Sequence, residues 1–183
     1  MILADGAVVD NALRLSLTLE DKYLLDRLKS NMESENKVSI YERKNGGKDL
    51  AYTAFCSKKL INDLKRWSVV PNKSHTEFHI PDINPEWIRH FIRGYFDGNG
   101  TVFLQSKSQS VRIGFYSNET LLKDIQLQLN KSIKTPINKI YKKVGYYLLS
   151  YARKDDIYHF YHYLYDDADI YMKRKKDKFD NYM

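Results

Sequence analysis

The stretch Phe91-Ile92-Arg93-Gly94-Tyr95-Phe96-Asp97-Gly98-Asn99-Gly100 closes a helix and opens a strand. Upstream, Pro85 suits a first helical position, where its missing N–H is no loss, and Asn84 suits the N-cap before it. The spacing predicts a helix to about Asp97, ended by Gly98-Asn99-Gly100. Thr101 to Ser106 and Val111 to Ser117 follow as a hairpin, and Asn118 caps a helix to about Ile133. Ile137 to Lys143 and Tyr146 to Arg153 pair around Gly145, Lys154 to Ala168 is a helix, and Ile170 to Tyr182 is a basic helical tail.

The first half runs through the same order. Leu13, Leu15, Leu17 and Leu19 alternate with Arg14, Ser16 and Thr18, the period of a strand with one buried face. Glu20 to Met32 has helical spacing, with Leu24, Leu25 and Leu28 on one side. Lys37 to Lys44 reads as a strand, with Val38 and Ile40 inward and Ser39, Tyr41 and Arg43 outward. Asn45-Gly46-Gly47 is a hairpin signal, Leu50 to Ser57 the return strand, and Lys58 to Trp67 a short helix carrying Leu60, Ile61 and Leu64. Val69 to Pro85 holds three of the four prolines and reads as a connector.

Each half therefore runs helix, two strands, helix, two strands, helix. Asp5 and Asn99, Tyr41 and Tyr141, and Lys73 and Lys175 recur at offsets of roughly 100 residues, the length of a duplicated half-domain rather than a solenoid unit. Strand pairs interrupted by helices imply an α+β fold with antiparallel sheets and helices on one face. The expected division is residues 1–84 and 85–183.

Composition sets outer limits. With 43% hydrophobic and 29% charged residues, the chain is ordinary for a globular protein. Its 30 Lys+Arg against 23 Asp+Glu give a net charge of +7, which suits a polyanionic partner but says nothing of fold. The single cysteine, Cys56, cannot form an internal disulfide, so a reducing, intracellular setting is expected. No apolar run approaches the roughly 20 residues that span a bilayer. The N-terminus lacks the basic region of a signal peptide.

Phe91 to Gly100 resembles the LAGLIDADG signature of homing endonucleases in its GxFDGDG form, and Ile2-Leu3-Ala4-Asp5-Gly6 resembles the end of a first copy. Val70-Pro71-Asn72-Lys73-Ser74 and Tyr171-Met172-Lys173-Arg174-Lys175 resemble a paired lysine motif of the same family, and the order of elements matches along nearly the whole chain. The resemblance implies a single-chain, pseudo-two-fold duplicated protein, expected to be a monomer. Its two saddle-shaped four-stranded sheets would lie in the DNA major groove. Signature helices would pack side by side, with small residues such as Ala4 and Gly94 allowing close approach. It implies Mg²⁺, or another divalent cation such as Mn²⁺ or Ca²⁺, held by Asp5 and by the residue at 99. Lys73 and Lys175 would stabilise charge at the phosphate, with Lys173 a rival to Lys175. Two cations held by carboxylates and phosphates can activate water and stabilise a leaving oxygen.

Two departures matter. Asn99 stands where the second acid belongs, and a neutral amide should weaken metal binding and impair cleavage. Either binding was kept in nature while cutting was lost, or Asn99 is an introduced Asp→Asn change. Asp97, by the family pattern, belongs to the helix end and its packing. Only three residues precede Ala4, so the first signature helix is expected to be short or part of the chain to be missing.

The expected DNA-contacting residues are Arg14, Ser16, Thr18, Ser39, Tyr41, Arg43, Arg112, Lys139, Tyr141, Lys143 and Arg153, where Arg and Lys favour guanine edges. The bland alternative is a solvated sheet face. His159 and His162, spaced i and i+3, lack further ligands at zinc spacing. Three readings follow: a homing endonuclease that cuts double-stranded DNA, of the kind that mobilises introns or inteins; a non-cleaving DNA-binding protein; and a maturase-like RNA splicing factor.

Overall fold

A computed structural model describes residues 1–44, 46–67, 69–70, 77–105 and 110–182. Asn45 of the expected hairpin turn, Lys73 of the first lysine motif, and Ser106 lie outside the described residues. Residues 2–76 form one compact unit and residues 77–183 the other.

The first unit runs α1 (Ile2–Asp5), β1 (Gly6–Val9), β2 (Ala12–Thr18), α2 (Lys22–Asn31), β3 (Ser39–Tyr41), β4 (Leu50–Cys56) and α3 (Lys58–Lys65). Its strands form one antiparallel sheet in the order β1-β2-β4-β3. Leu13, Leu15 and Leu17 are buried as their alternation predicts, and Leu24 and Leu25 of α2 join them. Val9 pairs with Ala12, leaving Asp10 and Asn11 as a two-residue turn with φ of 49° and 61°. Two consecutive positive φ values define a type I′ hairpin, which Asp and Asn tolerate better than bulkier residues. Strand β1 lies ahead of the alternating leucines and carries only four residues, too few for a periodic signal. Ser57 caps α3 by accepting the Leu60 N–H at 3.2 Å.

The second unit runs α4 (Ile88–Asn99), β5 (Gly100–Gln105), β6 (Ser110–Ser117), α5 (Glu119–Ile133), β7 (Tyr141–Lys143), β8 (Tyr146–Tyr151), α6 (Lys154–Tyr165) and α7 (Lys173–Asp180). Its sheet order is β5-β6-β8-β7, the same topology in the same sequence order. Asn84 accepts the Glu86 N–H at 3.0 Å, and Pro85 opens a single 3-10 turn into α4. Asn118 caps α5 through the Leu121 N–H at 2.8 Å. The core joins α4, β6 and α6: Phe96 lies 5.1 Å from Phe115 and 5.0 Å from Phe160, ring centroid to centroid. The architecture is α+β, with two antiparallel four-stranded sheets and helices.

Several boundaries differ from expectation. Strands β3 and β7 are three residues each, and both are sheet edges. Ile40, expected inward, is 52% exposed: it pairs with buried Ala51, but no strand lies on its other side. Helix α4 continues through Asn99 instead of ending at Asp97. Residues 77–84 pack with the second unit rather than closing the first. There Phe78 meets the Tyr95 ring edge-on at 6.4 Å, and Asp124 accepts the Ile80 N–H at 3.1 Å and faces His79 at 2.9 Å.

Candidate nucleic-acid interface and motif helix

Strand register decides which side chains share a face. In the first sheet, Arg14 pairs with Ala54, Ser16 with Tyr52, and Thr18 with Leu50, while Ser39 and Tyr41 pair with Tyr52 and Leu50 from the other side. Arg14, Ser16, Thr18, Ser39 and Tyr41 thus lie on one face, opposite the leucines of β2. Thr18 is partly committed, because its hydroxyl donates to Asp21 Oδ2 at 2.8 Å. Arg43 lies beyond β3, where its backbone N–H donates to Asp49 Oδ1, so it is a loop residue and not a strand residue.

In the second sheet, Arg112 pairs with Phe103, Tyr141 with Leu148, and Lys143 with Tyr146. These residues share the face turned away from Val102, Ile113 and Phe115. Tyr116 joins them opposite Leu148, and its ring meets Tyr146 edge-to-face at 5.4 Å. Lys139 precedes β7 and holds its ammonium 5.4 Å from the Tyr141 ring centroid, a cation–π distance. Arg153 is corrected: β8 ends at Tyr151, and Arg153 is the N-cap of α6, its carbonyl accepting the Ile157 N–H.

Sequence reasoning missed Tyr52, Phe103, Tyr116 and Tyr146 on these faces. Period-two counting from Arg14 or Arg112 and across the ladder would have found them, but an aromatic side chain alone does not tell an outward strand face from a core one. None of the chain's 23 acidic residues lies on any of the eight described strands. Acids are generally scarce in strands, but a face of Arg, Lys, Ser, Thr and Tyr with none at all suits a polyanion.

The two signature segments share one local geometry. Asp5 is the last residue of α1 and Asn99 the last of α4, and each is followed by a glycine that begins a strand. A Cβ on Gly6 would lie 2.5 Å from the Ile2 carbonyl oxygen, and one on Gly100 would lie 2.5 Å from that of Phe96. Each glycine sits against the carbonyl four residues back, so only glycine lets the chain turn from helix to strand there.

Asn99 donates its amide to the Tyr95 hydroxyl at 3.1 Å, and that hydroxyl lies 2.8 Å from Ser117 Oγ and 3.2 Å from the Tyr116 carbonyl, with one hydrogen to give to either. Asp97 is buried, with Tyr165 donating to one carboxylate oxygen at 3.0 Å and the Met172 N–H to the other at 3.0 Å. Burial lifts its pKa, while those two hydrogen bonds and the Lys175 charge pull it back. One turn earlier, buried Arg93 donates to the carbonyls of Ile170 at 2.9 Å and Leu164 at 3.1 Å. Its Nη1 lies 2.8 Å from His90 Nδ1. Burial, then the Arg93 charge, holds the His90 pKa down. Asp97 thus packs the helix end, as its place in the pattern implied.

Lys175 does not take the expected role. It is 5% exposed, and its ammonium donates to the carbonyls of Phe96 at 2.7 Å, Asp97 at 2.6 Å and Gly100 at 2.6 Å. An ammonium has three N–H bonds, and all three are spent on the C-terminal end of α4, where the helix dipole is negative. None is left for a phosphate. Lys173, the rival, is exposed at the start of α7.

The second motif fits a divalent cation poorly. Mg²⁺ seeks hard, anionic oxygens. Here Asn99 supplies a neutral amide, and both Asp97 oxygens already accept hydrogen bonds. Among the described residues, no three His, Cys, Asp or Glu side chains gather to hold a metal ion. Likewise, no helix among them is long and apolar enough to cross a membrane.

Helix-ending signature glycines at the head of two αββαββα units of the same sheet topology, the second extended by α7, define a LAGLIDADG fold. Residues 86–165 match the family model of the LAGLIDADG-like domain. No curated protein matches the chain. Among solved structures, the N-terminal LAGLIDADG domain of DUF199/WhiA superposes with a TM-score of 0.61 at 16% identity, covering 100% of this chain and 82% of that one. Full-length DUF199/WhiA from Thermatoga maritima gives a TM-score of 0.61 at 19% identity, and the match covers 99% of this chain but 56% of that one. The I-LtrWI LAGLIDADG homing endonuclease bound to target DNA gives 0.60 at 11% identity, covering 99% and 85%. At such identities these likenesses establish the fold.

Proposed function

We propose that this chain binds double-stranded DNA through the outward faces of its two sheets, and that its cleavage function is disarmed at Asn99. The carrying observation is that these faces hold Arg14, Arg112 and Lys143, while the described strands hold no acid. The DNA-bound state of the similarly folded I-LtrWI supports the same reading. A duplex offers closely spaced negative charge to such faces and distinct base edges in its major groove.

Cutting is a separate matter. Hydrolysis of a phosphodiester by this family's chemistry calls on a divalent cation held by carboxylates, and the second motif offers an amide. Asp5 keeps its carboxylate at the end of α1. Loss of one of two charged ligands fits retained binding with impaired Mg²⁺-dependent cleavage. A gel shift against duplex DNA, with and without Mg²⁺, tests both parts. The expected result is a shifted duplex that stays intact in Mg²⁺. Tighter binding to a folded intron RNA than to any duplex would favour the maturase-like alternative instead.

A further inference from the structure

The outward faces of the two sheets are not chemically alike. The first presents Arg14, Ser16, Thr18 and Ser39 with two tyrosines. The second presents Phe103 directly across the ladder from Arg112, with Leu148, Tyr116 and Tyr146 further along the same face. Phe103 is 60% exposed, although its strand neighbour Val102 is buried. Phe103 therefore sets an exposed apolar ring directly beside the Arg112 cation, a pairing suited to a ligand that offers an apolar group next to a hydrogen-bond acceptor.

In the DNA major groove the only apolar group on any base edge is the C5 methyl of thymine. An arginine there pairs best with the O6 and N7 acceptors of guanine. Cross-strand neighbours stand about 5 Å apart, a spacing that reaches from one base pair to the next or the one after. We infer that Phe103 and Arg112 form a paired specificity element, Phe103 covering a thymine methyl and Arg112 reading a guanine one or two base pairs away. Charge supports the duplex as the occupant: this face of strands β5 to β8 carries Arg112 and Lys143, and the four strands carry no acid. This inference rests on the DNA-binding reading above and names what one part of that surface recognises.

The test is selection of binding sites from two random duplex pools, one containing thymine and one containing deoxyuridine in its place, which removes only the methyl. A selected thymine duplex and its deoxyuridine counterpart are then titrated against the intact chain, Phe103→Ala and Phe103→Leu. The expected loss on removing the contacted methyl is about four-fold for the unaltered chain, the factor that burying one methyl-sized group supplies. Phe103→Ala should bind both duplexes equally, and Phe103→Leu should restore the difference. Arg112→Ala should relax selection at the neighbouring guanine. Equal affinity of the unaltered chain for both duplexes overturns the inference while leaving DNA binding intact. So does an equal loss on both duplexes in Phe103→Ala, which would mark the ring as stacking or packing. Failure of both pools to yield any bound duplex, with capture of single-stranded RNA instead, overturns the DNA reading and the inference together.

Discussion

The Lys175 ammonium lies 2.6 Å from the carbonyl oxygen of Gly100, the residue that turns the signature helix into strand β5. With the Phe96 and Asp97 carbonyls it completes a three-point cap that ties α7 to the end of α4. Removing it takes a donor from three carbonyls, of which Phe96 keeps the Gly100 N–H, and leaves one helix end without its positive charge. Lys175→Met should destabilise the chain by about 2–4 kcal/mol. Urea unfolding measures this, and a loss below about 0.5 kcal/mol would mean that the cap carries little of the fold.

Asn99→Asp tests the disarmed site. A carboxylate there could take the Tyr95 hydroxyl hydrogen as the amide now meets the same oxygen. The unaltered chain should leave a bound duplex uncut in Mg²⁺, and Asn99→Asp should nick or cut it when the cation is present. A selected duplex run on a denaturing gel reads the outcome. If the substituted protein binds and still fails to cut, Asn99 is not the sole lesion.

The alkaline limb of stability should carry the mark of Tyr151. Burial pushes this phenol up to about 12, with the Thr135 hydroxyl offsetting a little. The folded value is raised above the unfolded one of about 10, so the contribution is whole below pH 10 and is lost as pH climbs through 12. Up to about 2–3 kcal/mol should disappear over that interval. Tyr151→Phe should flatten part of this limb in pH-dependent unfolding; Tyr165, whose phenol burial also pushes up, accounts for a remainder. An unchanged slope in the variant would show that Tyr151 ionises as freely folded as unfolded.

Asp124 holds residues 79 and 80 to α5 with a single carboxylate oxygen. Asp124→Ala should cost about 1–2 kcal/mol and raise the rate of proteolytic cleavage within residues 77–84. Mass spectrometry of the fragments locates the cut. Unchanged digestion would mean that Phe78 packing alone seats this segment.

Much of the fold was legible because its signals are local. The leucines at 13, 15 and 17 set the face of β2, and Asn84, Ser57 and Asn118 each cap the element after them. The candidate site was legible where it depends on the same alternation, as for Arg14, Ser16, Ser39, Arg112 and Tyr141. It was not legible where a distant partner decides. Lys173-Arg174-Lys175-Lys176 reads as a uniform solvated run, and only carbonyls about 75 residues away distinguish the buried Lys175 from its neighbours. Arg43 and Arg153 continue the strand pattern in sequence, but the ladder ends before each of them. Ile40 follows the inward period but sits where the sheet stops. The exposure of Phe103 has no local signal, because it depends on which side of the sheet the helices cover.

The central claim is that the sheet faces grip duplex DNA through its phosphates and bases. Its most direct test is the dissociation constant for a selected duplex, measured by fluorescence anisotropy from 50 to 200 mM salt. Each phosphate contact releases counterions, so neutralising 6–10 phosphates should weaken binding by about 10³–10⁵ across that range. A flat response, or no duplex bound at low salt, would contradict the account.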